Sequence, residues 1–214
     1  MIKELQKRIL TSIFVIPLFL FFIFKGSIYF IFFLIILYLI SSYEWIKIAR
    51  NIIFKLIGLI FLLQSFYFVY LFRVENFNTF LFVIVICIST DLGGYFFGKF
   101  IKGPKLTKIS PNKTYSGLIG GFLLSICFSY LFSNKFDLNF VTKENNFNTY
   151  IYYFLILLTS FISQVGDLII SYFKRLSNIK DTGKIFPGHG GLLDRIDGMI
   201  FVFPSIYLIL NLII

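Results

Sequence analysis

The sequence predicts an all-α fold, a polytopic membrane helical bundle with about seven transmembrane helices, and three observations carry that prediction. Hydrophobic residues make up 58% of the 214 and charged residues only 14%, against roughly 25% charged in an ordinary soluble domain. The mean hydropathy is +0.88, which is more apolar surface than a soluble chain hides and which lipid accommodates. The apolar residues also fall into runs near the roughly 20 residues that cross a hydrocarbon core as a helix. Only helices and closed barrels satisfy their backbone there.

The first run, Ile9–Phe24, contains Pro17 and follows Lys3, Lys7 and Arg8. No small-residue cleavage site follows it, so it reads as a retained span and not as a signal peptide. The second run is Ile28–Ile40 and the third Ile52–Phe72. The fourth starts near Phe80 and continues into Asp91–Gly98. The fifth is Leu118–Phe132, the sixth Tyr150–Phe173 and the seventh Met199–Ile214. Residues 1–78 read as N-terminal transmembrane helices. Residues 79–214 read as a second transmembrane region in which the charged loops are 98–117 and 174–198.

The charges agree with this map. The N-terminal tail and the even-numbered connections hold Lys3, Lys7, Arg8, Lys47, Arg50, Lys55, Lys99, Lys102, Lys105, Lys108, Lys113, Lys174, Arg175, Lys180, Lys184 and Arg195, sixteen of the 20 basic residues. The odd-numbered connections hold Lys25, Arg73, Lys135 and Lys143. The positive-inside bias therefore puts the N-terminus and the even loops in the cytoplasm. The net charge of +10 would suggest nucleic acid in a soluble chain. In a membrane chain it reports orientation and an anionic lipid or nucleotide partner, with no nucleic acid expected. Cys87 and Cys127 are far apart in apolar runs, and His189 is the one histidine. That argues against structural zinc or a disulfide framework.

Charges at membrane depth are costly and mark function. Asp91 ends the fourth run and Asp167 lies inside the sixth. Ser160, Ser163, Gln164, Asp167, Ser171 and Lys174 recur at three- and four-residue intervals, a polar stripe that faces protein or water and not lipid. The stripe is either a hydrogen-bonded seam between helices or the wall of a catalytic site. In the loop after it, Asp194 and Asp197 are three residues apart and share a face if helical. Paired carboxylates suit a hard, oxygen-ligated cation such as Mg²⁺, and Lys174, Arg175 and Arg195 suit phosphate oxygens. Gly188, Gly190 and Gly191 permit positive φ and a backbone anion nest, or simply a tight turn. The earlier loop around Ser110-Pro111-Asn112-Lys113-Thr114 offers a turn and a helix cap, or a triphosphate clamp. There is no P-loop pattern.

These residues resemble a known family. Ser171-x-x-Lys174-Arg175, Lys180-Asp181-x-Gly183 and Phe186-Pro187-x-His189-Gly190-Gly191-Leu192-x-Asp194-Arg195-Ile196-Asp197 resemble the ungapped signature of bacterial phosphatidate cytidylyltransferases. Asp91-x-Gly93-Gly94-Tyr95-x-x-Gly98-Lys99, the Ser110–Thr114 segment with Gly117, and Gly166-Asp167 are similar to further family segments. The resemblance implies that residues 79–214 are the catalytic transmembrane region of an enzyme of the bacterial inner (plasma) membrane, which takes CTP and phosphatidic acid to CDP-diacylglycerol and diphosphate with Mg²⁺ and a second cation, as a homodimer. It implies metal ligation by Asp167, Asp194 and Asp197. Catalytic roles fall to Asp167, Ser171, Lys174, Arg175, Lys180, Asp181, His189 and Arg195. Substrate contacts fall to Asp91, Lys99, Ser110, Lys113, Thr114, Gly188, Gly190 and Gly191. A CTP-dependent polyprenol kinase and an anion transporter are the alternatives weighed against it.

Overall fold

A computed structural model describes residues 2–107, 110–135, 149–188 and 190–213. Eight helices occur among them: α1 (Ile2–Lys25), α2 (Ser27–Ile48), α3 (Ile52–Glu75), α4 (Phe77–Phe100), α5 (Tyr115–Ser133), α6 (Thr149–Leu176), the single turn α7 (Leu193–Ile196) and α8 (Met199–Ile213). No strand occurs among the described residues, only isolated bridges between Lys105 and Thr114 and between Phe186 and Gly190. Five helices are long and apolar enough to cross a membrane: α2 to α5 and the Tyr150–Leu176 part of α6. The apolar stretches Thr11–Lys25 and Met199–Leu212 are shorter. The chain is thus a membrane helical bundle. His189, Lys108, Lys143 and Ile214 lie outside the described residues.

The second helix departs from its sequence boundary. The apolar run ends at Ile40, yet α2 continues to Ile48 through Ser41, Ser42 and Glu44. These polar residues extend the helix because they lie on its buried side, with Ser41 at 0% and Glu44 at 1% exposure. Leu34, Leu37, Ser41, Glu44, Trp45 and Ile48 repeat at three- and four-residue spacing, one continuous inward stripe.

Two compact units form. The first comprises Met1–Tyr70 and Phe173–Ile196. Gly26 alone connects α1 to α2, and its φ of 65° is one that glycine adopts without strain. The hairpin closes on Phe33, whose ring stacks on Phe22 at 4.8 Å and meets Phe19 edge-on at 4.9 Å. Trp45 fills the space that Gly58 leaves open and donates its indole N–H to the Phe54 carbonyl at 3.0 Å. Its ring also meets Phe173 edge-on at 4.8 Å.

The second unit comprises Leu71–Tyr172 and Asp197–Ile214. In it α4 and α5 cross at backbone contact. A Cβ on Gly93 would overlap the Gly120 carbonyl, and one on Gly117 would lie 2.7 Å from the Gly94 carbonyl oxygen. Small residues are what permit such an approach in lipid, where apolar burial between helices gives little drive. The polar stripe of α6 faces these helices: Thr90 donates to Ser160 at 2.8 Å and Gln164 to the Leu118 carbonyl at 3.4 Å. Ser160 and Ser163 are 0% and 1% exposed, so this part of the stripe faces protein. On α8, Phe203 packs on Phe72 and Phe80, and Gly166 of α6 makes room for the Phe201 ring.

Candidate active site

Two clusters of charged residues stand out, one in each unit. The first centres on Asp167. The segment before α5 folds back on itself: the Lys113 amide donates to the Ser110 carbonyl at 3.1 Å, closing a turn over Pro111 and Asn112. The Leu106 amide donates to the Lys113 carbonyl at 2.8 Å. Thr114 then caps α5, its hydroxyl accepting from the Gly117 amide at 3.1 Å. Such capping satisfies an otherwise orphaned helix N–H. Turn, cation and cap therefore come from consecutive residues, and the turn and cap fix where Lys113 leaves the backbone. Its ammonium lies 2.5 Å from Asp167 Oδ2, with side-chain exposures of 24% and 32%. Ser171, one turn along α6, donates to Asp167 Oδ1 at 3.3 Å.

Asp197 belongs to the same unit. Its carbonyl lies where a side chain on Gly166 would reach it, at 3.0 Å, so the backbones next to Asp167 and at Asp197 approach closely. Asp197 Oδ1 accepts from the Gly198 amide at 3.0 Å. Asp91 is exposed on α4, and Lys99 on the same helix donates to the Tyr95 hydroxyl at 3.2 Å.

The second cluster organises the loop after α6. Lys174 donates to Asp194 Oδ1 at 2.7 Å, with side chains only 10% and 6% exposed. Asp194 Oδ2 accepts from the amides of Thr182 at 2.8 Å and Gly191 at 3.0 Å. The loop's backbone donors thus gather around an anion, and that anion is the protein's own carboxylate. Phe186 and Gly190 exchange both backbone hydrogen bonds, closing a five-residue turn in which Gly188 and Gly190 have φ of 82° and 88°. Asp181 lies beside Gly190. Arg175 donates to the Ile179 carbonyl at 3.2 Å. Lys180, Asp181 and Arg195 are exposed.

The structure therefore brings Lys113 and Ser171 to Asp167, and Lys174, Thr182 and Gly191 to Asp194. It does not put Asp194 and Asp197 on one helical face, because α7 ends at Ile196 and Asp197 sits in the turn beyond it. Among the described residues no group of three acidic, histidine or cysteine side chains forms a ready cation cage. The donor chemistry nonetheless differs between the acids. Asp167 is an oxygen donor still open to solvent, as a hard cation needs. Asp194 already has both oxygens engaged by three donors inside the protein.

The family model described as the cytidylyltransferase family matches residues 51–213. The chain belongs to this family. A phosphatidate cytidylyltransferase of Rickettsia felis is 39% identical over 97% of this chain and 92% of the relative. One from Rickettsia bellii is 37% identical over 97% and 91%. One from Staphylococcus aureus is 41% identical over 68% of this chain and 54% of the relative.

Within this cytidylyltransferase, sequence reasoning missed Glu44. It is buried at 1% exposure and accepts from the Thr182 hydroxyl at 2.8 Å, the Leu192 amide at 3.0 Å and the Leu193 amide at 2.8 Å. The signal was a lone acid between Tyr43 and Trp45. Closing the second span at Ile40 had assigned it to a loop, where an acid needs no explanation.

Proposed function

We propose that this protein transfers the cytidylyl group of CTP to phosphatidate, giving CDP-diacylglycerol and diphosphate. The observation that carries the reading is Asp167. It is a part-exposed carboxylate on the polar stripe of α6, paired with a lysine from a basic loop, in a chain that aligns along almost its whole length with relatives named for that reaction. An integral membrane protein suits a reaction with one lipid and one water-soluble substrate.

The lipid phosphate oxygen attacks the α-phosphorus of CTP, the α–β phosphoanhydride bond breaks, and diphosphate carries the electron pair away. The nucleophile is already an anion, so no protein nucleophile is needed, and the obstacle is repulsion between two polyanions. Asp167 and Asp197 are the residues to hold Mg²⁺, which when bound offsets phosphate charge; a second cation remains part of the proposal. Ser171 orients Asp167 through its hydrogen bond. Lys113 exchanges its contact with Asp167 for a phosphate oxygen as substrate enters. Arg175, Lys180 and Arg195 are the loop cations suited to phosphate oxygens, and Asp181 and His189, from the same stretch of sequence, are kept as catalytic candidates. Asp194 keeps that loop in shape and becomes a ligand only if Lys174 leaves it.

We also propose that α1 and α8 complete a bundle of seven spans, with the N-terminus and loops 98–117 and 174–198 in the cytoplasm, where CTP is supplied. A homodimer is part of the same reading.

The test uses purified protein, Mg²⁺, phosphatidate and CTP labelled at either end. Label from the α-phosphate enters the lipid product, and label from the γ-phosphate leaves in diphosphate. Transfer of the γ label to lipid would instead indicate a lipid kinase. Solute flux across liposomes without CTP consumption would indicate a transporter.

A further inference from the structure

Glu44 lies outside the stretch matched by the family model, which begins at residue 51, and the reaction proposed above does not use it. Yet few groups in the first unit are as fully engaged. Its carboxylate is buried and takes three hydrogen bonds, all from the loop between α6 and α8. Burying a carboxylate is costly unless donors surround it. Here Thr182 supplies a hydroxyl, and Leu192 and Leu193, at the start of α7, supply amides that have no partner within that helix. The loop is built to admit the carboxylate: a Cβ on Gly183 would overlap Glu44 Oε1, and one on Gly191 would lie 2.6 Å from both Glu44 oxygens. These two glycines of the charged segment therefore face an internal acid.

We propose that Glu44 is a positioning residue for the reaction, an anion on α2 that fixes the loop carrying Lys180, Asp181, Asp194 and Arg195. Thr182 links the two internal acids of this unit, its hydroxyl donating to Glu44 and its amide to Asp194. Displacement at Glu44 is thereby passed to Asp194 and so to Lys174. The N-terminal helices are then part of the catalytic architecture as well as a membrane anchor.

The chemistry makes Gln a sharp probe. With the amide oxygen in place of Oε2, the NH₂ group faces the Leu192 N–H. Flipped, it faces the Leu193 N–H. Either way two donors confront each other, although size and shape are unchanged. The inference rests on the proposed activity for its kinetic arm only, so the full-length protein is examined by two measurements. One is kcat and KM with CTP, phosphatidate and Mg²⁺. The other is the rate of tryptic cleavage after Lys180 and Lys184, with thermal unfolding alongside. Glu44→Gln should lower kcat about 10- to 100-fold, the range for loss of a residue that orients others at a site, and speed cleavage at those two lysines. Thr182→Val should lower kcat a few-fold, and adding it to Glu44→Gln should cost little more, since the two side chains act as one unit.

Accelerated cleavage with normal kcat, or normal cleavage with normal kcat, overturns the proposal. So does a loss of activity that scales only with the unfolded fraction, or additive effects of the two substitutions. If Glu44→Gln does not fold, Thr182→Val alone decides: unchanged kcat and unchanged cleavage refute the role. A wild-type protein without cytidylyl transfer would refute the proposed function, and the proposal that Glu44 positions a loop for that reaction would fall with it. Faster cleavage in Glu44→Gln would then show loop-holding alone.

Discussion

Asp167→Ala all but abolishes cytidylyl transfer, with a fall in kcat on the order of a thousandfold, as for loss of the electrostatic stabilisation that a cation held by Asp167 would supply. The protein remains in the membrane and its unfolding temperature is nearly unchanged. The geometry separates the two effects. Asp167 and Lys113 are 32% and 24% exposed, so removing the carboxylate lets water in beside the otherwise buried Lys113 Nζ, and losing a part-exposed pair costs far less than losing a fully buried one. Asp167→Asn keeps the shape and a hydrogen-bond acceptor for Ser171, and removes only the charge. It should be nearly as inactive, because neither a cation nor Lys113 is then balanced. Turnover within a few-fold of wild type in purified Asp167→Asn would remove Asp167 from the chemistry.

Asp194→Ala has a different outcome, losing turnover and local stability together. The substitution leaves the Lys174 ammonium in a site only 10% exposed and strips the acceptor from the Thr182 and Gly191 amides. Breaking a buried pair in this way costs about 3–5 kcal/mol, enough to open the loop from Ser177 to Gly191 even where the helices hold. Hydrogen exchange at the Thr182 and Gly191 amides should rise markedly in the variant, and its thermal transition should fall. Normal turnover with normal protection of both amides would contradict the role of Asp194 as the loop's internal anion. The contrast between the two acids is itself diagnostic: one variant is folded and inactive, the other loosened and inactive.

Much of this was legible in the sequence because lipid imposes simple rules. Long apolar runs gave α3, α4, α5 and α6 near their observed limits, and the recurrence of polar residues on α6 gave a stripe that faces protein. The motif residues were also legible as residues of interest, but their partners were not. Spacing put Asp194 and Asp197 on a common helical face, whereas Asp194 turns inward to Lys174 and two amides. Gly191 suggested room for a substrate, and the group that occupies that room is Glu44. Both differences have one cause. A charged loop between two apolar helices has to satisfy its own backbone, and acids from elsewhere in the chain supply the acceptors. Sequence periodicity describes a single element and cannot show which distant carboxylate will arrive. Glu44 lies 138 residues from Thr182, and only the folded chain reveals the pairing.

The most direct test of a single displacement between two substrates held by these residues is its stereochemistry. CTP made chiral at its α-phosphorus by sulfur substitution should give CDP-diacylglycerol with inverted configuration, as one in-line attack by the lipid phosphate requires. Retention would mean two displacements through a cytidylylated group on the protein and would contradict the account.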